Sequence, residues 1–450
     1  MPARSTMSLG LLLMAAAGAA GAQEQPASPA LPRLAVQSGR FVEKDSGRRF
    51  TPLGVNYFRT GKVKSGKVVH ATFCPGFYER PYVEKMMADA AAWGFNTVRT
   101  FQSYHVGEEG ILTSPEARQI APAYLANVVH FLRQAQQHRL HVIFSWDVWM
   151  PTSVWWATQA LPGEAGRDLR TEWDEAQGVN NFRFGLESVR TRANAIVALI
   201  DALRRQDPAL LSTVLSWELE NEVFFASDRA PFNSRKGTFR FRDRDYDLAA
   251  DADTQALMDD AIVQWADLGA EAIHRADPEA LVSTGVFTFA AVGRNGPGTL
   301  ATDQTKDERI PARPLALLRS KLDYIDLHLY AWRAADVGVA AHLERNLRSV
   351  EWEPLRAAAH AAGKPILCGE SGLFANYLRS PPAWAIDHTL GLACHREHQQ
   401  ALAAAGLAGA LYWHYGNPDS TANDENPALT LFRAYVQVLK DVWGPSAKAD

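Results

Sequence analysis

Two short apolar runs that each contain a glutamate carry the clearest chemical signal in this sequence. The run LSWELENEV covers residues 215–223 and includes Glu222, and the run ILCGESG covers residues 366–372 and includes Glu370. A short apolar run bounded by polar residues is typical of a buried parallel strand, so each glutamate would lie at the rim of a sheet. Two carboxylates that converge on one cleft can cleave a bond between sugars, because one protonates the departing oxygen while the other attacks or stabilises the anomeric carbon.

Strand patterns alternate with helix patterns along the rest of the chain. The predicted strands, one to eight, are 51–58, 96–101, 141–147, 210–222, 280–287, 322–330, 364–371 and 407–416. The predicted helices are 82–93, 123–138, 189–205, 254–275, 354–362, 383–405 and 429–442. A hairpin signal at 41–50, centred on Asp45-Ser46-Gly47, precedes them. This order predicts an α/β fold, a (β/α)8 TIM barrel with long βα loops and an N-terminal β-hairpin. An open doubly wound sheet is disfavoured, since no glycine-rich phosphate loop follows strand one.

The long connections all follow strands, at 148–180, 223–250 and 288–321. In a barrel this places the elaborated loops on the face where an active site forms. The first of these loops contains four tryptophans, which either form a stacking wall for sugar rings or pack against one another: Trp149, Trp155, Trp156 and Trp173.

The beginning of the chain has the pattern of an export signal. Arg4 precedes the apolar stretch 9–22, which ends in Ala20-Gly21-Ala22, an A-x-A cleavage site. A membrane anchor is the weaker interpretation, because the stretch is short and leads into a loose segment. We therefore predict a signal peptide at 1–22, a linker at 23–33, one catalytic domain at 34–445 and a tail at 446–450, in a secreted or periplasmic protein.

Composition excludes several other classes of protein. The 450 residues are 47% hydrophobic with a formal net charge of −4, so neither nucleic acid nor a membrane surface is an expected partner. The three cysteines, Cys74, Cys368 and Cys394, lack metal-ligand spacing. Cys368 is expected to be a packed thiol, and a Cys74–Cys394 disulfide is left open. The expectation is a monomer without a cofactor or metal.

A set of motifs in fixed order resembles the retaining (β/α)8 glycoside hydrolases of clan A, most closely family 5, from Phe50 to nearly the end of the chain. The matching residues are Arg99, WELENE at 217–222, His328-Leu329-Tyr330, Gly369-Glu370 and Trp413. Two positions depart from the family pattern. Val223 stands where a proline is common, and SWDVW after strand three lacks a frequent histidine, for which Asp147 or Trp149 are the candidate replacements.

The resemblance implies that Glu222 is the acid/base and Glu370 the nucleophile, with Arg99, Asn221, His328, Tyr330, Trp413 and Trp149 binding substrate. Asn221 would contact the sugar 2-hydroxyl, and Trp413 would form the floor under the reacting ring. Arg99 and the Tyr330 hydroxyl are expected to lower the pKa of Glu370, whose charge would raise the pKa of Glu222.

Two further glutamates and two histidines have competing interpretations. Glu218 and Glu220 share strand parity with Glu222 and so compete for its role. Glu218 should lie deeper in the barrel, paired with Arg99, whereas Glu220 has no evident place. His328 and His414 could be read as metal ligands, but no carboxylate cluster in the sequence completes such a site.

The resemblance to mannan-cleaving members implies a secreted retaining hydrolase of β-1,4-mannan. A β-1,4-glucanase of the same clan is the alternative substrate assignment. A transglycosylase with the same residues, and a barrel that binds glycans without cleaving them, are the other hypotheses.

Overall fold

All eight predicted strands are present and parallel in the computed structural model, which describes residues 29–62, 68–149, 151–169, 178–331, 338–372, 388–415 and 433–444. Their observed bounds are Leu53–Tyr57, Thr97–Gln102, His141–Trp146, Val214–Glu218, Leu281–Ser283 continued by Gly285–Phe287, Ile325–Tyr330, Ile366–Gly372 and Ala410–Tyr412. We number them strands one to eight. The predicted signal peptide, Trp173 and the predicted tail lie outside the described residues.

Strand five closes the sheet into a barrel. Its first half pairs with strand four, Leu281 opposite Ser216, and its second half pairs with strand six, Gly285 opposite Asp326. Between the halves, the Thr284 hydroxyl donates a hydrogen bond to the Glu220 carbonyl oxygen at 2.9 Å. Strand eight pairs with strand one in turn, so no edge is left open. The predicted (β/α)8 barrel is confirmed.

Helices connect the strands and bury one face each against the sheet. The longer helices are Arg80–Ala92, Pro122–Gln137, Leu186–Gln206, Asp251–Ala276, Val339–Ser349, Trp352–Ala362, His388–Ala404 and Arg433–Trp443. Short helical turns occupy Val154–Thr158, Gly178–Asn180, Asn181–Phe184, Pro208–Thr213, Phe289–Val292 and Pro314–Leu317. The helix Asp251–Ala276 has acidic residues in its first turn and His274 and Arg275 in its last turn. This distribution of charge is stabilised by the helix dipole.

Strand four is shorter than predicted. The prediction began at Leu210, but Pro208–Thr213 forms a 3-10 helix, since Pro208 fixes the first backbone angle and the Asp207 side chain accepts a hydrogen bond from the backbone N–H of Ala209. The strand also ends at Glu218 rather than Glu222. The alternation of side chains that the prediction carried through to Glu222 therefore stops at Glu218.

The predicted N-terminal hairpin is confirmed and covers the amino-terminal end of the barrel. Arg40–Glu43 pairs with Arg49–Phe50, and Leu34–Gln37 adds a third strand. Phe41 from this sheet packs edge-on against Tyr324, with ring centroids 5.1 Å apart. The apolar layer beneath it fills the barrel interior and consists of Ile143, Leu215, Leu281, Leu367 and Leu411.

The opposite, carboxyl-terminal face carries the insertions. Three two-stranded sheets lie there or in its loops: Thr60–Lys62 with Val68–His70, Phe224–Ala226 with Arg309–Pro311, and Thr238–Phe241 with Arg244–Asp247. All three cysteines are free, so the Cys74–Cys394 disulfide is not formed, and Cys368 is buried as predicted. Among the helices within the described ranges, none is long and apolar enough to cross a bilayer.

Candidate active site

Arg99 is the centre of the site at the carboxyl ends of the strands. It is fully buried, and its guanidinium donates five hydrogen bonds of 2.6–3.1 Å to side chains from other strands or strand ends. The acceptors are Glu218, Asn56, Glu370, Ser145 and Asn221. A planar guanidinium with donors in a fixed fork holds these oxygens in a defined arrangement. The predicted pairing of Arg99 with Glu218 is confirmed.

Glu370 lies between two donors. Arg99 Nη1 donates to its Oε1 at 2.6 Å, and the Tyr330 hydroxyl donates to its Oε2 at 2.5 Å, as predicted. Its side chain is 4% exposed. A carboxylate held by two charged or polar donors has one orientation, which is what a nucleophile needs in order to meet a bound substrate.

Glu222 faces Glu370 from beyond the end of strand four. Its backbone is in the left-handed region, with φ at 39°, a conformation that non-glycine residues adopt at a cost. His328 Nδ1 lies 3.0 Å from Glu222 Oε1 and 3.4 Å from Glu370 Oε2. One oxygen of each glutamate and one nitrogen of His328 all lie within 4.8 Å of one another. The same three atoms could hold a cation, and His414 is not among them.

The pKa shifts of the two glutamates are the reverse of those expected from the sequence. Burial raises the pKa of Glu370, although His328 and Arg99 oppose it. Burial also disfavours the charged form of Glu222, but the hydrogen bond and charge of His328 outweigh it and lower the Glu222 pKa.

The reason is the position of His328 among carboxylates, which sequence reasoning did not consider. Burial disfavours its imidazolium, but the surrounding carboxylates of Glu370, Asp326 and Glu222 outweigh burial and raise the His328 pKa to about 10. These opposite shifts favour the imidazole of His328 over the Glu222 carboxylate as the place of a shared proton.

Glu218 and Asp326 form a second coupled pair below Arg99. Burial raises the pKa of Glu218, with the Arg99 charge acting against it. Burial acts in the same direction on Asp326, but the interactions with His328 and Glu218 outweigh it and lower its pKa. Because Glu218 is fully buried beneath Arg99, it cannot reach a substrate. Glu218 is therefore not a candidate for the acid/base role.

Glu220 points away from the site. Arg183 Nη1 donates to it at 2.9 Å, and Arg192 Nη2 lies 2.8 Å from the same carboxylate. Both arginines belong to helices outside the barrel, and all three side chains are buried. The prediction that Glu220 shares the orientation of Glu222 is wrong, because the strand geometry stops at Glu218.

The remaining predicted residues occupy the mouth of the barrel. Asn221 Oδ1 accepts from Arg99 at 2.8 Å, which leaves its amide NH2 to donate outward. Trp413 follows strand eight and stacks on Phe58 with ring centroids 4.8 Å apart. Trp149 is 49% exposed and contacts Phe182 edge-on at 5.7 Å, whereas Trp156 is buried in the core.

Sequence reasoning missed several members of the site. Asn56 and Ser145 share inward parity with Arg99 on neighbouring strands, so a register argument across strands one to three could have found them. Asp326 precedes His328 by two residues and could have been found in the same way. His70, which lies 3.0 Å from Asp147, has no such signal, since the loop after strand one brings it there.

Comparisons with known proteins agree with this architecture. A protein of Neosartorya fischeri named probable mannan endo-1,4-beta-mannosidase F is 28% identical over 190 residues, 42% of this chain and 36% of that protein. The chain thus matches about a third of that relative's length. No protein-family model matches the chain.

Two solved structures share the fold over most of the chain. The endo-β-1,4-mannanase of Thermotoga petrophila superposes with a TM-score of 0.56 at 12% identity, over 90% of this chain and 79% of its own. The family 5 mannosidase of Rhizomucor miehei gives a TM-score of 0.52 at 15% identity, over 91% and 96%. The chain has the barrel fold of these glycoside hydrolases. The barrel fold that the resemblance implied is thereby confirmed.

Proposed function

We propose that this protein is an exported, retaining glycoside hydrolase that cleaves β-1,4-linked mannan by double displacement with Glu222 and Glu370. One observation carries the proposal: oxygens of the two glutamates lie within 4.8 Å of each other, with His328 in reach of both. Retaining enzymes need a separation of about 5–5.5 Å, whereas inverting enzymes need roughly 6.5–9.5 Å to admit a water.

In the first step, the Glu370 carboxylate attacks the anomeric carbon and the bond to the leaving oxygen breaks. The leaving oxygen takes the proton that the Glu222–His328 pair holds. That proton passes from His328 Nδ1 to Glu222 Oε1 along their 3.0 Å contact, and Glu222, the more exposed member, delivers it. The Asn221 amide NH2, oriented by Arg99, donates to the sugar 2-hydroxyl, a contact that strengthens in the transition state.

In the second step, Glu222 acts as base. Esterified Glu370 has lost its charge, and with it the strongest of the charges that raise the His328 pKa. A carboxylate beside a less cationic His328 is a better proton acceptor. Glu222 therefore takes a proton from water, the hydroxide oxygen bonds to the anomeric carbon, and Glu370 leaves as a carboxylate with net retention of configuration.

Mannan is proposed because the relative with significant sequence similarity and the fold neighbours carry mannan-directed names. The same two glutamates would cleave a β-1,4-glucan, so activity on different polysaccharides distinguishes the two substrates. Export is proposed from the pattern of residues 1–22. Reducing-sugar release from mannan, glucomannan, cellulose and xylan tests the substrate, and mannan is expected to be cleaved fastest. Proton NMR of the first product should show the β anomer, and an initial α product would refute the retaining mechanism.

Substrates with different leaving groups distinguish the roles of the two glutamates. Glu222→Ala should cripple cleavage of mannan, whose alkoxide needs protonation, yet spare the first step on an aryl mannoside. An initial burst of phenol should follow, because the same residue must then activate water. Glu370→Ala should abolish both reactions. Equal losses on both substrates in the Glu222 variant would remove Glu222 from the acid/base role.

A further inference from the structure

Strand seven contains one residue more than its neighbours at the level of the nucleophile. On the strand-six side, Asp326 pairs with Leu367 and Leu329 pairs with Ser371, so that two residues of strand six lie opposite three residues of strand seven. On the strand-eight side, the register shifts over the same stretch, between Cys368 and Ser371. An extra residue of this kind is a β-bulge, which bends its strand and redirects a side chain.

The bulge turns Glu370 into the cleft. Leu367 points into the barrel, where it belongs to the apolar interior layer. Strict alternation along the strand would then point Glu370 outward, toward the helices. Instead, the Glu370 carboxylate meets the Arg99 guanidinium in the mouth of the barrel at 2.6 Å. Ser371 takes the outward direction, where Gln399 of an outer helix donates a hydrogen bond to its hydroxyl at 3.2 Å. The extra residue therefore decides which side of the sheet the nucleophile faces.

Asp326 holds the backbone of the bulge. Its Oδ1 accepts a hydrogen bond from the backbone N–H of Gly369, the residue before the nucleophile, at 2.6 Å. The carbonyl oxygen of Gly369 accepts a hydrogen bond from the Asn56 side chain at 2.8 Å. Gly369 lies outside the paired register of strand seven, and the two buried side chains satisfy its polar backbone groups.

Position 369 has room for a glycine only. A Cβ atom on Gly369 would overlap the carboxylate of Asp326. The other oxygen of this carboxylate, Oδ2, lies 3.5 Å from Arg99 Nε and 3.9 Å from His328 Nε2. One fully buried carboxylate thus holds the backbone beside the nucleophile and also lies close to the arginine that binds the nucleophile.

We propose that Asp326 and Gly369 are positioning residues of the reaction, which fix the bulge in strand seven and so direct the Glu370 carboxylate toward the anomeric carbon. Both residues are buried, and they act through the backbone that carries Glu370 rather than on the substrate. The inference rests on the proposed function and adds to it the means by which the nucleophile is oriented. Because a misdirected nucleophile still permits substrate to bind, loss of either residue should lower the rate of attack more than the affinity.

Covalent labelling of Glu370 tests the proposal. The nucleophile attacks the anomeric carbon of 2-deoxy-2-fluoro-β-mannosyl fluoride, a carbon–oxygen bond forms, fluoride leaves, and the resulting glycosyl ester is detected by mass spectrometry. At saturating reagent, Asp326→Ala and Gly369→Ala should lower the labelling rate constant roughly 100-fold, with the half-saturating concentration almost unchanged. A role in stability alone would reduce the fraction of protein that is labelled but leave the rate constant of that fraction at the wild-type value, and this result would overturn the inference.

Two further variants separate the hydrogen bond from general damage to the fold. Asp326→Asn keeps an oxygen that can accept from the Gly369 N–H, so its labelling rate constant should exceed that of Asp326→Ala by about tenfold. Equal rate constants for the two variants would contradict the proposal. The double variant Asp326→Ala/Gly369→Ala should react about as fast as either single variant, because the two residues act through one contact. Multiplied losses in the double variant would show that they act separately.

The matched control is Asp323→Ala. Asp323 precedes strand six, and its Oδ2 accepts a hydrogen bond from the backbone N–H of Val282 on strand five at 2.7 Å. The control removes the same kind of contact from the opposite end of the barrel, so it should lower the melting temperature and leave the labelling rate constant unchanged. A loss of rate in the control equal to that in Asp326→Ala would overturn the inference. Wild-type protein that is neither labelled nor active on mannan would overturn the proposed function itself.

Discussion

Glu220→Gln should destabilise the protein strongly without changing the ratio of its activity on mannan to its activity on an aryl mannoside. Glu220 is the shared partner of Arg183 and Arg192, and the three side chains are buried together. Removal of one partner from a buried ion pair costs about 3–5 kcal/mol, because the remaining charge stays desolvated. Burial lowers the pKa of Arg192 to about 10, and the Glu220 carboxylate opposes that shift. Loss of the carboxylate should therefore make the charged form of Arg192 less stable in the folded protein.

This cost converts into a measurable shift in melting temperature. With an unfolding entropy of about 2 cal/mol/K per residue, a chain of 450 residues should melt about 3–6 °C lower. Thermal denaturation followed by circular dichroism measures the shift, and kcat on an aryl mannoside well below the transition should remain near the wild-type value.

The matched control is Glu164→Gln. Glu164 pairs with Arg190, on the same helix as Arg192, with two hydrogen bonds but partial exposure to solvent. A pair that is open to solvent is partly screened, so loss of the Glu164 charge should lower the melting temperature less than loss of the fully buried Glu220 charge. An unchanged melting temperature for Glu220→Gln, or a phenol burst like that expected for Glu222→Ala, would refute the assignment of Glu220 to the structural cluster.

Three further outcomes are expected. Glu370→Ala should regain partial activity on an aryl mannoside with added azide and give a glycosyl azide of inverted configuration, detectable by NMR; a retained product would exclude Glu370 as nucleophile. The His328 pKa is raised to about 10, so its contribution to stability should be complete below pH about 6.5 and be lost as pH rises toward 10. Urea unfolding of wild type and His328→Gln across that range measures it, and a gap that widens with pH would contradict the assignment. N-terminal sequencing of the exported protein should begin at Gln23, and an intact Met1 would contradict cleavage.

The barrel and much of the site were predictable because they depend on local pattern. Apolar runs located all eight strands, and the motifs that carry the family resemblance located Arg99, Glu370 and Tyr330. The long carboxyl-terminal loops were recognised for the same reason.

The predictions that were wrong concerned features that depend on contacts between residues distant in sequence. The alternation of side chains along strand four could not show that the strand ends at Glu218. The strand ends there because Thr284 and Gly285, from strand five, donate hydrogen bonds to the Glu220 carbonyl oxygen and keep it out of regular strand pairing. The direction of the glutamate pKa shifts depended on His328, whose own pKa is raised by Glu370 and Glu222 from other parts of the barrel and by Asp326 on its own strand. The His70–Asp147 contact joins residues whose spacing carries no signal.

The hydrogen bonds of Arg99 also constrain how the protein can fold. Its acceptors come from strands one, three, four and seven or from their ends, and Arg99 itself comes from strand two. Glu370 cannot acquire its working orientation in a half-barrel, because the residues that fix its arginine lie in both halves of the chain. During refolding, enzymatic activity should consequently return only with the last cooperative step, after helical content has recovered. Closure of the barrel and maturation of the catalytic centre are then a single kinetic event.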